Sequence, residues 1–176
     1  MKFIAKWLFN KKEYLPFECD GLIYYVIFTK STMWCNGAGQ GYITLDMNVL
    51  NGICYEPVKE IERNLIGVDY IYLYNDSTST DIIYPNYEFT LSSGSYFKIT
   101  NETTGQIVTF NNIGANEKIL VDNNIKSMRS ESNVKKNIYN LSNKQWLYLE
   151  NGRNVLKIEA TKCNFKIKYQ NKMCLT

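Results

Sequence analysis

From residue 68 onward the chain repeats one pattern, in which four to six residues of alternating character are followed by a cluster of turn formers. The alternating segments are residues 70–74, 87–91, 96–100, 106–110, 118–121, 145–149, 154–159 and 165–169. In Phe165-Lys166-Ile167-Lys168-Tyr169 the period of two sends the apolar side chains to one face and the lysines to the other. The breaks are Asn101-Glu102-Thr103-Thr104-Gly105, Asp122-Asn123-Asn124 and Asn151-Gly152. Asn-Gly is a strong hairpin signal, because both residues accept positive φ. With no helical stretch long enough for a parallel crossover, this spacing predicts an antiparallel β-sandwich. Residues 126–143, polar and rich in Ser and Asn, read as a long loop.

The first third reads differently. Phe3, Ile4, Trp7 and Leu8 recur at i, i+1, i+4 and i+5, which predicts a short amphipathic helix with Lys2 and Lys6 turned away. Its length favours packing on protein over lying on a membrane. Residues 22–28 form a nearly continuous apolar and aromatic run, the pattern of a buried strand. Asn36-Gly37-Ala38-Gly39-Gln40-Gly41 resembles a phosphate-binding glycine loop only loosely. The strand-like Tyr42-Ile43-Thr44-Leu45-Asp46-Met47 follows it, where a phosphate cradle needs a helix N-terminus. Pro57 suits the start of a helical turn and Gly67 its stop, and Lys59, Glu60, Glu62 and Arg63 solvate the interval. The plan is therefore a module over 1–57, a linker over 58–67, a sandwich over 68–170 and a tail over 171–176.

Composition removes several chemistries. The chain has no histidine, so it has no Ser–His–Asp or Cys–His relay and none of the common histidine-containing zinc sites. Its five cysteines (19, 35, 54, 163 and 174) show no CxxC pair and read as reduced thiols packed as small apolar groups. Glu88, Glu102, Glu117, Asp122, Glu150 and Glu159 fall in turns or at polar strand positions, where solvated carboxylates are expected rather than a glycosidase pair. The expectation is no catalytic residue, no metal and no cofactor. A net charge of +3, spread along the chain, argues against a nucleic-acid surface. Lys6 interrupts the N-terminal apolar run before a secretory core forms, and no run reaches the eighteen or so apolar residues of a membrane span. The expectation is a soluble intracellular product with no membrane insertion.

The 14 tyrosines carry the other candidate site. Tyr70, Tyr72 and Tyr74 share one strand face by period two, so they can form an aromatic ladder, with Trp146 as a further ring. Flat exposed rings stack on pyranose faces, which makes a carbohydrate-binding module for host cell-surface glycan the alternative function. Tyrosine also fits strand surfaces for its own sake.

The order of motifs resembles the C-terminal part of phage distal tail proteins, the siphovirus-type tail components. The carrying residues are Tyr84-Pro85, Ile99-Thr100-Asn101-Glu102-Thr103-Thr104-Gly105-Gln106, Asn116-Glu117, Val121-Asp122-Asn123 and Ile125-Lys126-Ser127. Trp146-Leu147-Tyr148-Leu149, Gly152-Arg153-Asn154-Val155 and Ile167-Lys168-Tyr169-Gln170 complete the set. Ile4-Ala5-Lys6-Trp7-Leu8, Tyr24-Tyr25-Val26-Ile27-Phe28 and Gly39-Gln40-Gly41-Tyr42-Ile43-Thr44-Leu45 are similar to the end of that family's N-terminal domain. The resemblance implies a mainly β protein: a galectin-like antiparallel sandwich preceded by a partial belt or ring module with one short N-terminal helix. It also implies a non-enzymatic structural part of the virion tail tip or baseplate, assembled in the bacterial host cytoplasm. Its partners would be tail-tube, tail-hub and receptor-binding or fibre proteins, within a homo- or hetero-oligomeric ring. The front half of the family's ring domain has no counterpart here, so the expectation is either a fragment or divergent short form, or a first module whose missing strands another subunit supplies. Phe3, Ile4, Trp7, Leu8, Tyr24, Tyr25 and Phe28 are the expected subunit interface.

Overall fold

The computed structural model describes residues 13–38, 40–79, 82–131 and 136–175. The expected N-terminal helix, with Phe3, Ile4, Trp7 and Leu8, lies outside the described residues. All strand pairings are antiparallel. The chain divides into two units, residues 1–57 with 172–176 and residues 58–171.

In the first unit β1 (Leu15–Cys19), β2 (Leu22–Cys35) and β3 (Gly41–Tyr55) form a meander, and β10 (Lys172–Cys174) adds to its far edge. Asp20 and Gly21 both take positive φ and close the two-residue β1–β2 hairpin. At the β2–β3 end, the Asn36 Oδ1 accepts from the Ala38 and Gln40 amides, as an Asx turn does. Two expectations fail here. Residues 171–176 are not a free tail, because Met173 pairs with Cys54. The run 22–28 is not buried on both faces: only Val26 is buried, and the other six residues are half-buried.

The second unit contains β4 (Lys59–Asn75), β5 (Asn86–Asn101), β6 (Gln106–Phe110), β7 (Lys118–Asp122), β8 (Ser127–Ser130) and β9 (Gly152–Tyr169). The order is β4-β9-β5-β7-β8, with β6 also on β5. The three longest strands share one line of irregularity: Ile66/Gly67 on β4, opposite residues 160–162 of β9, and residues 91–97 on β5. Gly67 and Gly94 take positive φ at that line. There the sheet folds over on itself. Phe89 and Phe97 lie eight residues apart on one strand, which would separate them by about 27 Å if straight, yet their rings stack at 3.9 Å. Phe165 joins Phe97 at 5.8 Å and Phe110 joins Phe89 at 5.1 Å. Leu73, Leu91, Ile99, Ile119, Leu156 and Ile158 complete a core closed to solvent. The architecture is thus the mainly β antiparallel sandwich that alternation predicts.

The sequence reading needs four corrections here. The linker over 58–67 is the first half of β4, which pairs with β9 from Lys59↔Tyr169 onward. Its charges solvate an outer strand face, where Glu60 meets Lys166 at 2.6 Å and Lys168 at 3.0 Å. Segments 154–159 and 165–169 are one strand, β9, continued through the bulge at residues 160–162, and segments 87–91 and 96–100 are likewise one strand, β5. Segment 145–149 alternates but forms only the bridge Leu149↔Ile83, and Asn151-Gly152 closes no tight hairpin. The loop over 126–143 includes β8 and a 3₁₀ turn, Ile138–Leu141, that buries Ile138.

Candidate functional site

The tyrosine ladder exists as a geometric object. Along β4 the burial alternates, with Ile71 and Leu73 inward and Tyr70, Tyr72 and Tyr74 outward at 45%, 50% and 50% exposure. β4 is an edge strand, so the three rings stand along the margin of the outer face. Successive rings are about 6.7 Å apart along the strand. Beside them on β9 lie Lys157, Val155 and Arg153 in direct register. The Arg153 guanidinium sits over the Tyr72 ring at 4.6 Å. Two residues beyond Lys157 along β9, Glu159 lies between that lysine at 3.0 Å and Lys98 of β5 at 3.2 Å. Hydrogen bonds from Lys157 and then Lys98 hold the Glu159 carboxyl below its usual range.

Trp146 does not join this ladder. Its ring stacks on Tyr139 at 6.1 Å, and the Lys126 ammonium lies 5.4 Å from it and 3.9 Å from the Tyr84 ring. Burial lowers the Lys126 pKa, and the aromatic faces supply the attraction that keeps the cation there.

The asparagines of the second unit were not singled out by sequence reasoning, although three of them stand inside the quoted motifs. Asn75, Asn101, Asn123 and Asn154 are fully buried, and each holds the segment 146–150. The Asn75 amide donates to the Leu149 carbonyl at 3.3 Å. The Asn101 amide donates to the Tyr148 carbonyl and to Asn154 Oδ1, both at 3.1 Å. Asn123 Oδ1 accepts from the Leu147 amide at 3.2 Å, and its own amide donates to the Pro85 carbonyl. Asn154 donates to the Glu150 carbonyl at 2.7 Å and accepts from the Glu150 amide at 3.1 Å. Side-chain amides here take the place of a strand ladder, satisfying backbone groups of a segment that has none. The signal was available: four asparagines at apolar-phase positions call for a buried polar role.

Two of the carboxylates that the sequence offers are paired with lysines. Glu88 meets Lys118 at 3.3 Å, and Glu117 meets Lys136. Burial pushes the Glu117 carboxyl up, but hydrogen bonds from Lys136, Ser130 and the Gly114 amide more than offset this and hold it below its usual range. Burial pushes the Cys163 thiol up to about 12, which leaves it an unreactive packing group. Cys54 and Cys163 are buried, and Cys19, Cys35 and Cys174 are exposed. No cluster of three or more acidic or cysteine ligands occurs among the described residues. No described helix is long and apolar enough to cross a membrane. A shallow depression of about 260 Å³ lies over β5, β7, β8 and β9, between Asn86, Leu120, Arg129 and Lys168.

In the first unit the cross-strand register places Leu15, Val26 and Val49 in one row, Phe17, Tyr24 and Cys54 in a second, and Phe28 opposite Met47. Cross-strand partners share a sheet face, so these residues make one apolar face. Only Val26 and Cys54 on it are buried. Of the expected interface residues, Tyr24 and Phe28 lie on this face and Tyr25 on the opposite one, where its ring meets Tyr55 at 5.6 Å. All three are half-buried.

The family model described as "Phage tail C-terminal domain" matches residues 54–169. No curated protein sequence matches significantly. Among solved structures, the SPP1 Dit protein (gp 19.1) aligns with a TM-score of 0.67 at 13% identity, covering 97% of this chain and 70% of that one. That protein is described as a paradigm of the hub adsorption apparatus in phages infecting Gram-positive bacteria. At this identity the likeness speaks for the fold.

Proposed function

The chain belongs to the phage tail C-terminal domain family, and on that premise we propose that it joins the tail tube to baseplate or receptor-binding proteins. As a phage tail structural component it resides in the virion tail. The proposed role is scaffolding by protein–protein contact, without catalysis, in a homo- or hetero-oligomeric ring assembled in the host cytoplasm. Its partners would be tail-tube, hub and receptor-binding or fibre proteins. The hub role described for SPP1 Dit supports this reading through the shared fold.

One observation carries it. The first unit spreads its apolar residues over a sheet face on which only Val26 and Cys54 are buried among the described residues. On such a face each half-buried large side chain forgoes part of the about 1.5–3 kcal/mol that full burial would gain, which an assembled tail recovers. Mixing the full chain with the tail-tube and hub proteins of the same phage, followed by size exclusion with light scattering, tests the proposal. Co-elution well above the 20.5 kDa monomer is expected, weakened by Phe28→Asp. A stable monomer with every partner would contradict it.

A further inference from the structure

We propose that Tyr70, Tyr72 and Tyr74 form a stacking strip for a linear polysaccharide, a binding site additional to the scaffold and independent of it. Three properties of the strip carry this. First, the rings are half exposed although inward neighbours on the same strand are fully buried. They are therefore outer-face groups with no core role. Second, they stand in single file on an edge strand, so the side away from β9 has no further strand among the described residues. A chain-like ligand can lie along them over about 13 Å. Third, the flanking row supplies hydrogen-bonding side chains at sheet spacing. Arg153 is opposite Tyr74 and Lys157 opposite Tyr70, and Lys157 is held in place by Glu159. Hydroxyl-rich rings need that combination of flat apolar contact and oriented polar groups.

The shape of the strip favours a sugar polymer over a protein. A tyrosine side chain offers about 150–250 Å², so three half-exposed rings and the neighbouring Val68 present roughly 400 Å² in single file. A standard protein interface is a broad patch of about 800 Å² from each partner, polar rim included, whereas this strip is one strand wide. The Arg153 guanidinium covers part of Tyr72, but the ring is half exposed with that cation in place. Trp146, bracketed by Tyr139 and Lys126, is not part of the site.

Affinity gel electrophoresis of the full chain through hydroxyethylcellulose and, separately, polygalacturonate tests the strip with a neutral and an acidic polymer. Retardation by at least one polymer is expected. Tyr72→Ala should weaken it at least fivefold, Tyr72→Phe should keep it because the ring remains, and Ile125→Ala, exposed on the β7–β8 turn, should leave it unchanged. No retardation in either gel, or retardation equal in wild type and Tyr72→Ala, overturns the proposal. So does a homo-oligomer seen by light scattering that Tyr72→Ala dissolves, since the strip is then a protein contact. Failure here leaves co-elution with tail proteins unaffected, so the two readings separate.

Discussion

Replacing Asn154 by Ala tests the claim that side-chain amides hold the end of the second unit. The Asn154 side chain is fully buried. Its amide donates to the carbonyls of Glu150 at 2.7 Å and Gly152 at 3.1 Å. Its oxygen accepts from the Glu150 amide and from the Asn101 side chain, both at 3.1 Å. A hydrogen bond contributes about 1 kcal/mol net, and a buried group left unpaired costs about 1–3 kcal/mol. Four bonds sum to about 4 kcal/mol on that scale, before any cost for partners left unpaired. Asn101 keeps its bond to Tyr148, and Glu150 is exposed, so water can reach part of what is lost. The expected loss is about 3 kcal/mol. With an unfolding entropy of about 2.1 cal/mol/K per residue over a domain of roughly 110 residues, Tm should fall by about 13 °C. The assay is a thermal melt by circular dichroism with a urea titration, in which the midpoint shifts while the slope holds. Asn124→Ala, whose exposed amide bonds the Tyr84 carbonyl, should cost less than about 0.5 kcal/mol. A drop of less than about 4 °C for Asn154→Ala would refute the clamp.

Other outcomes follow from the same structure. Gly94→Ala should cost about 1–3 kcal/mol, because φ is +84 and the new Cβ would lie 2.6 Å from Thr161 Oγ1; a melt unchanged from wild type would contradict the fold line. Phe97→Ala should cost about 3–5 kcal/mol, since that ring stacks on Phe89 and Phe165, and urea unfolding measures it. Glu159 has a lowered folded pKa, so its contribution is complete above the unfolded value near 4.5 and fades as pH falls through the folded one. Glu159→Gln should therefore lower stability at pH 7, with the difference from wild type shrinking below pH 4.5; an equal gap at pH 7 and pH 3 would contradict the ion-pair account.

Alternation made the strands of the second unit legible, because a period of two requires only local information. Segment 106–110 coincides with β6, and 70–74 lies within β4. Strand continuity was not legible, since Gly67 and Thr161-Lys162 look like breaks. In the sheet they are a bulge, through which the ladder resumes on both sides. The charged stretch 59–63 read as solvated connection because its partners, Lys166 and Lys168, lie a hundred residues away. Segment 145–149 misled for a different reason. Its alternation is real, with Leu147 and Leu149 buried, but distant asparagine side chains hold it instead of a neighbouring strand. At the candidate site, the exposure of Tyr70, Tyr72 and Tyr74 followed from periodicity. The separation of Trp146 from them depends on tertiary placement that spacing does not encode.

The most direct test of the central claim is electron microscopy of intact virions labelled with antibody raised against the purified chain. A structural role in the tail tip predicts label confined to the tail end distal to the capsid. Virions without label, or with label on the capsid, would contradict it.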